Sequence, residues 1–185
     1  PRLCRDWSSD VCSSDLAHYV YGIGDFVQKW LRGNSRLVKE LKELYMQESM
    51  KYEYQIPTMD LTVAGEASSH IKKILRQIGI DAGIIRRVAI ATYEAEINIA
   101  IHSMGGTLTL LISEDWVKII AKDVGPGIEN IDLAMQKGFS TATSEIRELG
   151  FGAGMGLPNM QKCADDFQIT SEFGAFTRVE MTMML

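Results

Sequence analysis

Apolar side chains recur at Ile84, Ile85, Val88, Ala91, Ala95, Ile97, Ile99 and Ile101, a helical spacing that predicts one long and largely buried helix. Asp81 is placed to cap its start, and the pattern runs to about Ser103 before Gly105-Gly106 ends it. The stripe is interrupted by Glu94, Asn98 and His102, which stand one turn apart on a single face. Burying a carboxylate and an amide without partners costs several kcal/mol, of the order of 2–7 for an amide, so something polar must lie against that line. Glu96 falls off the line and faces elsewhere.

Around this helix the other elements follow in order. KYEYQIP reads as an opening strand punctuated by Pro57, with DLTVAG as its exit. Ala67 to Ile78 carries helical spacing and stops at Gly79. TLTLLIS and WVKIIAK alternate as a hairpin joined through Glu114-Asp115. A short helix is predicted near Ile131 to Gln136, then a polar stretch from Gly138 to Glu148. GFGAGMGLP opens a helix through about Ala164, and DFQITSEFG and AFTRVEMTMML close the chain as two strands. Helices gathered on one face of a mostly antiparallel sheet make an α+β, two-layer sandwich.

Composition narrows the classes. The 185 residues are 46% hydrophobic and 23% charged, which suits one soluble globular domain. A net charge of −5 leaves no basic excess of the kind that marks a nucleic-acid binder. Apolar runs are strand-sized or broken, which argues against a membrane span, and no secretory leader is visible, so a cytoplasmic location is expected. Residues 1–16, with DWSSDVCSSDL, resemble a translated sequencing adaptor and are set aside, taking Cys4 and Cys12 with them. Cys163 alone remains, which excludes a disulfide framework and reads as a packed thiol. Residues 17–49 carry Leu37, Leu41 and Leu44 on an amphipathic stripe, either a helical extension or upstream read-through. Met50 is read as the natural start of a domain over 50–185; intact-mass analysis of the native protein finding material upstream would overturn this.

Three stretches carry candidate chemistry. GFGAGMG, from Gly150 to Gly156, sets glycines directly before a helix, so the backbone can approach a ligand and the free N–H groups can hold an anion. It could equally be a glycine hinge; it is neither a P-loop nor a dinucleotide fingerprint. DVGPGI leaves an apolar strand with Asp123 at its end, where a carboxylate can accept from a ligand amine beside Gly125 and Gly127, or simply form a turn. On the polar line, the Asn98 amide oxygen suits Mg²⁺ and Glu94 could take a proton from a hydroxyl; alternatively Glu94 pairs with Arg86 or Arg87. His102 by itself could be structural.

In order, EAEINIAIH, DVGPGI, GFGAGMG and GAFT (Gly174 to Thr177) resemble the asparagine box, the two glycine boxes and the last box of the GHKL (Bergerat-fold) ATPase superfamily, over essentially Met50 to Leu185. ENIDLAMQKGFSTATSEIRELGFGAGMGLPNM is most similar to its anti-sigma factor and serine-protein kinase branch. The resemblance implies ATP and Mg²⁺ as cofactors, Glu94 as catalytic base and Asn98 as metal ligand. It further implies Asp123 on the adenine amino group, with Gly125, Gly127 and Ile128 shaping the base pocket, Thr177 bonding nearby and His102 at the end of the polar line. Residues 138–152 would be a lid, with Gly152, Gly154, Met155, Gly156 and Leu157 around the phosphates and Arg147 a candidate γ-phosphate contact.

The resemblance also implies a function. Residues 17–49 are too short for the phosphoacceptor hairpin of histidine kinases, and His70 lacks the usual acidic and proline neighbours. The expectation is an ATP-dependent serine/threonine protein kinase that phosphorylates a small anti-anti-sigma-type antagonist and sequesters a sigma factor, with a homodimer an option of the family. The alternative is an ATP-gated protein-binding switch with little or no phosphotransfer; a base at Glu94 favours the kinase, since a pure binder needs none.

Overall fold

In the computed structural model, residues 49–61 and 64–185 are described. The adaptor-like stretch 1–16 and, apart from Ser49, the segment 17–49 lie outside the described residues. The elements are β1 (Met50–Ile56), α1 (Glu66–Gln77), α2 (Ala82–His102), β2 (Gly106–Ile112), β3 (Trp116–Asp123), α3 (Ile131–Ala134), α4 (Ser144–Glu148), α5 (Gly156–Cys163), β4 (Asp166–Glu172) and β5 (Phe176–Met184). One turn of helix, α4, thus interrupts the stretch read from sequence as polar loop. Its start is held by Thr143, whose hydroxyl accepts the Ile146 N–H, and Ile146 is buried beneath it. A single apolar residue in five shows no period, so sequence could not reveal it.

The strands form one antiparallel sheet in the order β1-β2-β3-β5-β4. Leu108 lies opposite Ala121, which lies opposite Val179, and Leu110, Ile119 and Met181 form the next row. These rows face the helices, so each strand's inward positions join Ile71, Leu75, Val88 and Met160 in one core. Each fully buried Leu or Ile there contributes about 1.5–3 kcal/mol. The expected α+β sandwich is therefore what forms, with α2 against α1, α5 and the sheet.

Two carboxylates fix how the helices begin. Asp81 caps α2, its Oδ1 accepting the N–H groups of Gly83 at 2.7 Å and Ile84 at 3.3 Å. α1 has no capping side chain of its own. Instead Glu96, from the middle of α2 and only 2% exposed, accepts the Ala67 and Ser68 N–H groups at 3.2 and 3.1 Å. A buried anion at a helix N-terminus meets both unpaired donors and the positive end of the dipole. This contact ties α1 to α2.

Candidate functional site

The polar line faces a cavity of about 400 Å³ bounded by α2, the ends of β3 and β5, and the chain from Phe139 to Pro158. Glu94, Asn98, His102, Asp123, Gly127, Ile128, Gly152, Gly154, Met155, Gly156, Leu157 and Thr177 all line it. The sites expected from separate stretches are thereby brought together around one space. Two are not on its wall: Gly125 and Arg147.

At one end stands Asp123, the last residue of β3, whose Oδ1 accepts the Thr177 N–H at 2.9 Å. Burial pushes this carboxyl above its ordinary value, with the Thr177 N–H pulling the other way. Its other oxygen is left for a ligand donor. The Thr177 hydroxyl pairs with Ser171 Oγ at 3.1 Å, and Ser171 Oγ also accepts the Ile128 N–H at 2.8 Å. Gly174 donates to the Pro126 carbonyl at 2.7 Å, so the β4–β5 turn and the DVGPGI loop are clasped. Gly127 has φ +63, and a Cβ there would clash with the Glu172 carbonyl oxygen, so only glycine fits. Gly125 serves packing rather than the wall: a Cβ would come within 3.0 Å of Ser103 Cα at the end of α2.

At the other end Glu94 Oε1 accepts from Asn159 Nδ2 at 2.7 Å. The pairing of Glu94 with Arg86 or Arg87 is therefore not formed. Arg87 instead donates to the Cys163 carbonyl at 2.8 Å and to Asp165 at 2.6 Å, holding the end of α5 against α2. Asn159 was invisible in the sequence pattern, because it sits on α5 with no periodic relation to Glu94; only the packing of α5 on α2 brings them together.

Between these ends Asn98 lies under the start of α5, where the N–H groups of Gly156 and Leu157 have no intrahelical acceptor. A Cβ on Gly156 would sit 3.0 Å from Asn98 Oδ1, so glycine leaves the amide oxygen its place at the wall. Gly154, at φ +70, accepts the Gly138 N–H at 2.9 Å and closes the loop that carries α4. His102 Nδ1 lies 3.3 Å from Thr141 Oγ1 of that loop, and burial lowers the imidazole below its ordinary value, favouring the neutral ring. Arg147 does not reach the cavity: its Nη2 donates to the Ser140 carbonyl at 2.9 Å and braces the loop from outside.

Chemically, one wall offers a carboxylate acceptor beside a flat glycine-lined slot, the opposite wall a helix start with free N–H donors, and the floor a carboxylate and an amide oxygen. Among the described residues no cluster of three or more His, Cys, Asp or Glu could hold a metal, and no helix is long and apolar enough to cross a membrane.

The chain is similar to several known proteins. The family of histidine kinase-, DNA gyrase B- and HSP90-like ATPases matches residues 81–185, from the Asp81 cap to the last strand. The serine/threonine-protein kinase RsbT of Bacillus subtilis (strain 168) is 29% identical over 113 residues, 59% of this chain and 79% of that protein. The anti-sigma F factor of Thermoanaerobacter sp. (strain X514) is 36% identical over 103 residues, 53% of this chain and 68% of that protein. The SiaB–SiaC complex of Pseudomonas aeruginosa superposes at TM-score 0.49 with 11% identity, covering 80% of this chain and 98% of that one.

Proposed function

Because the chain belongs to the family of histidine kinase-, DNA gyrase B- and HSP90-like ATPases, we propose that its cavity binds ATP and that it is a serine/threonine protein kinase acting as an anti-sigma regulatory factor. Its protein partners are a small anti-anti-sigma-type protein, which it phosphorylates, and a sigma factor, which it sequesters. The observation that carries this reading is Glu94: a carboxylate on the cavity wall, oriented through Oε1 by Asn159 and, among the described residues, unpaired with any arginine. A pure nucleotide-gated binder has no use for a held base beside the phosphate end.

The geometry supports the following roles. Asp123 accepts from the adenine amino group, with Gly127 and Ile128 against the ring. The N–H groups that open α5 hold phosphate oxygens, aided by the positive end of the helix. Glu94 takes the proton of the acceptor hydroxyl as the phosphoryl moves. The residues fit Mg²⁺: the Asn98 amide oxygen is a hard donor in a cradle that a side chain at Gly156 would fill, and a single protein oxygen suits an ion that otherwise keeps waters and phosphates. Bound there, the ion would neutralise charge on the transferring phosphoryl. The segment from Gly138 to Gly152 is the lid, with Arg147 bracing it through Ser140; a γ-phosphate contact by Arg147 would require that brace to open.

The test is capture from source extract on the full chain in Mg·ATP and in Mg·ADP, with mass spectrometry of partners and phosphosites. A sigma factor retained preferentially with ATP, or a small partner newly phosphorylated on serine or threonine, is expected. A different partner retained by nucleotide state without any phosphosite would favour the switch. In the same assay Glu94→Ala should keep ATP binding and lose about 10²–10⁴-fold in transfer rate; undiminished transfer would refute the base.

A further inference from the structure

A second depression runs along α2, a groove of about 790 Å³ between α1 and α2. From α1 it is lined by Lys72 and Arg76, one turn apart on one face, and from α2 by Arg86, Ile90, Tyr93 and Glu94. On α2 these residues follow helical spacing, so the stripe that begins at the cation Arg86 ends at the carboxylate of the nucleotide cavity. Tyr93 and Glu94 line both spaces. The groove and the cavity therefore meet at the proposed base.

Three cations rim the groove. Among the described residues Lys72, Arg76 and Arg86 form no ion pair, whereas Arg87 and Lys118 do. They stand exposed on a chain whose net charge is −5. Between them Ile90 and Tyr93 remain 39% and 41% exposed, an apolar floor under a cationic rim. Unneutralised cations around a concave, partly apolar strip attract and orient an anionic chain, and the apolar floor rewards side chains that enter it.

We propose that this groove docks the acceptor protein through an acidic segment adjoining the serine or threonine to be phosphorylated, a reading that rests on the kinase function proposed above. A segment lying along α2 reaches Glu94 at the end of the groove, while ATP occupies the other side of the same carboxylate. Hydroxyl and phosphoryl group then meet at the base from opposite directions. The acidic character of the segment follows from the cations it must satisfy. A long polyanion such as nucleic acid fits less well, because the cationic strip is short and the remainder of the chain is acidic.

The proposal is tested on the full chain with a short fluorescein-labelled peptide carrying one serine between runs of glutamate, and a control in which every glutamate is glutamine. Binding is read by fluorescence anisotropy, and Mg·ATP affinity by calorimetry. The glutamate peptide should bind, weaken as salt is raised, and lose at least about tenfold in affinity in the K72E/R76E/R86E variant. Because these side chains are exposed and outside the nucleotide cavity, ATP affinity should stay unchanged. Equal binding of the glutamine peptide, equal binding by the charge-reversed variant, or no binding by the unmodified chain overturns the groove. Failure of the unmodified chain to bind Mg·ATP would instead overturn the kinase reading. Serine phosphorylation that ignores the three charges would leave the kinase standing and remove the docking site.

Discussion

Asp123 shows how a single side chain can serve a site at a cost to the fold. Its carboxyl is held above its ordinary value chiefly by burial, so the charged form needed to accept from an amine is disfavoured by its surroundings. Asp123→Asn keeps an oxygen for the Thr177 N–H and removes the buried charge. The variant should melt no lower than the unmodified protein at neutral pH, yet bind ATP about tenfold more weakly, the worth of roughly one charged hydrogen bond; calorimetry and a thermal melt read the two separately. Asn159 acts through Glu94. Asn159→Leu should leave ATP affinity unchanged, since residue 159 is off the cavity wall, and lower kcat about tenfold, because Glu94 loses the N–H that orients it. An unchanged kcat would make Asn159 merely structural.

At the scale of elements, α2 does two jobs with residues two positions apart. Glu94 lines the cavity and Glu96 faces α1, so the rotation of one helix sets both the proposed base and the neighbouring helix start. Glu96→Gln offers an amide where two N–H donors need acceptors, and its own NH₂ would oppose one of them. It should cost about 1–3 kcal/mol, read as a lower urea midpoint with an unchanged slope. The expectation that Glu96 lies off the polar line holds. That it would cap a different helix was not legible, because capping across elements leaves no trace in local spacing. A contact between separate elements likewise hid Asn159, while α4 was hidden because one apolar residue in five shows no period. By contrast, the capping of α2 by Asp81 and the course of α2 itself were legible, since both are written in residues within one or two turns of each other.

For the molecule as a whole, the stability depends on pH through groups that the fold buries or pairs. His102 titrates below its ordinary 6.5 in the folded chain. The unfolded chain therefore takes up a proton first as pH falls, and stability should be full above about 6.5 and decline below it until the folded ring is also protonated. Denaturant titrations across this range in the unmodified protein and in His102→Gln should differ in slope, the variant losing this component. Asp165, bonded to Arg87 and to the Met184 N–H, is held below its ordinary value, so its contribution is present above about 3.8 and fades only in more acid solution. The amino-acid sequence by itself determined which of the described segments are helix or strand, α4 excepted, the antiparallel two-layer class, and the residue types at the site, because periodicity, caps and glycine spacing act locally. It offered Gly125 and Arg147 as wall residues and Arg86 or Arg87 as a partner for Glu94. Tertiary structure alone decided that Gly125 packs on α2, that Arg147 braces the lid loop, and that Asn159 holds Glu94 while Arg87 secures Asp165. Those outcomes depend on how separate elements rotate and dock to bury their apolar faces, and the direction of a long side chain is settled only once the surfaces around it exist.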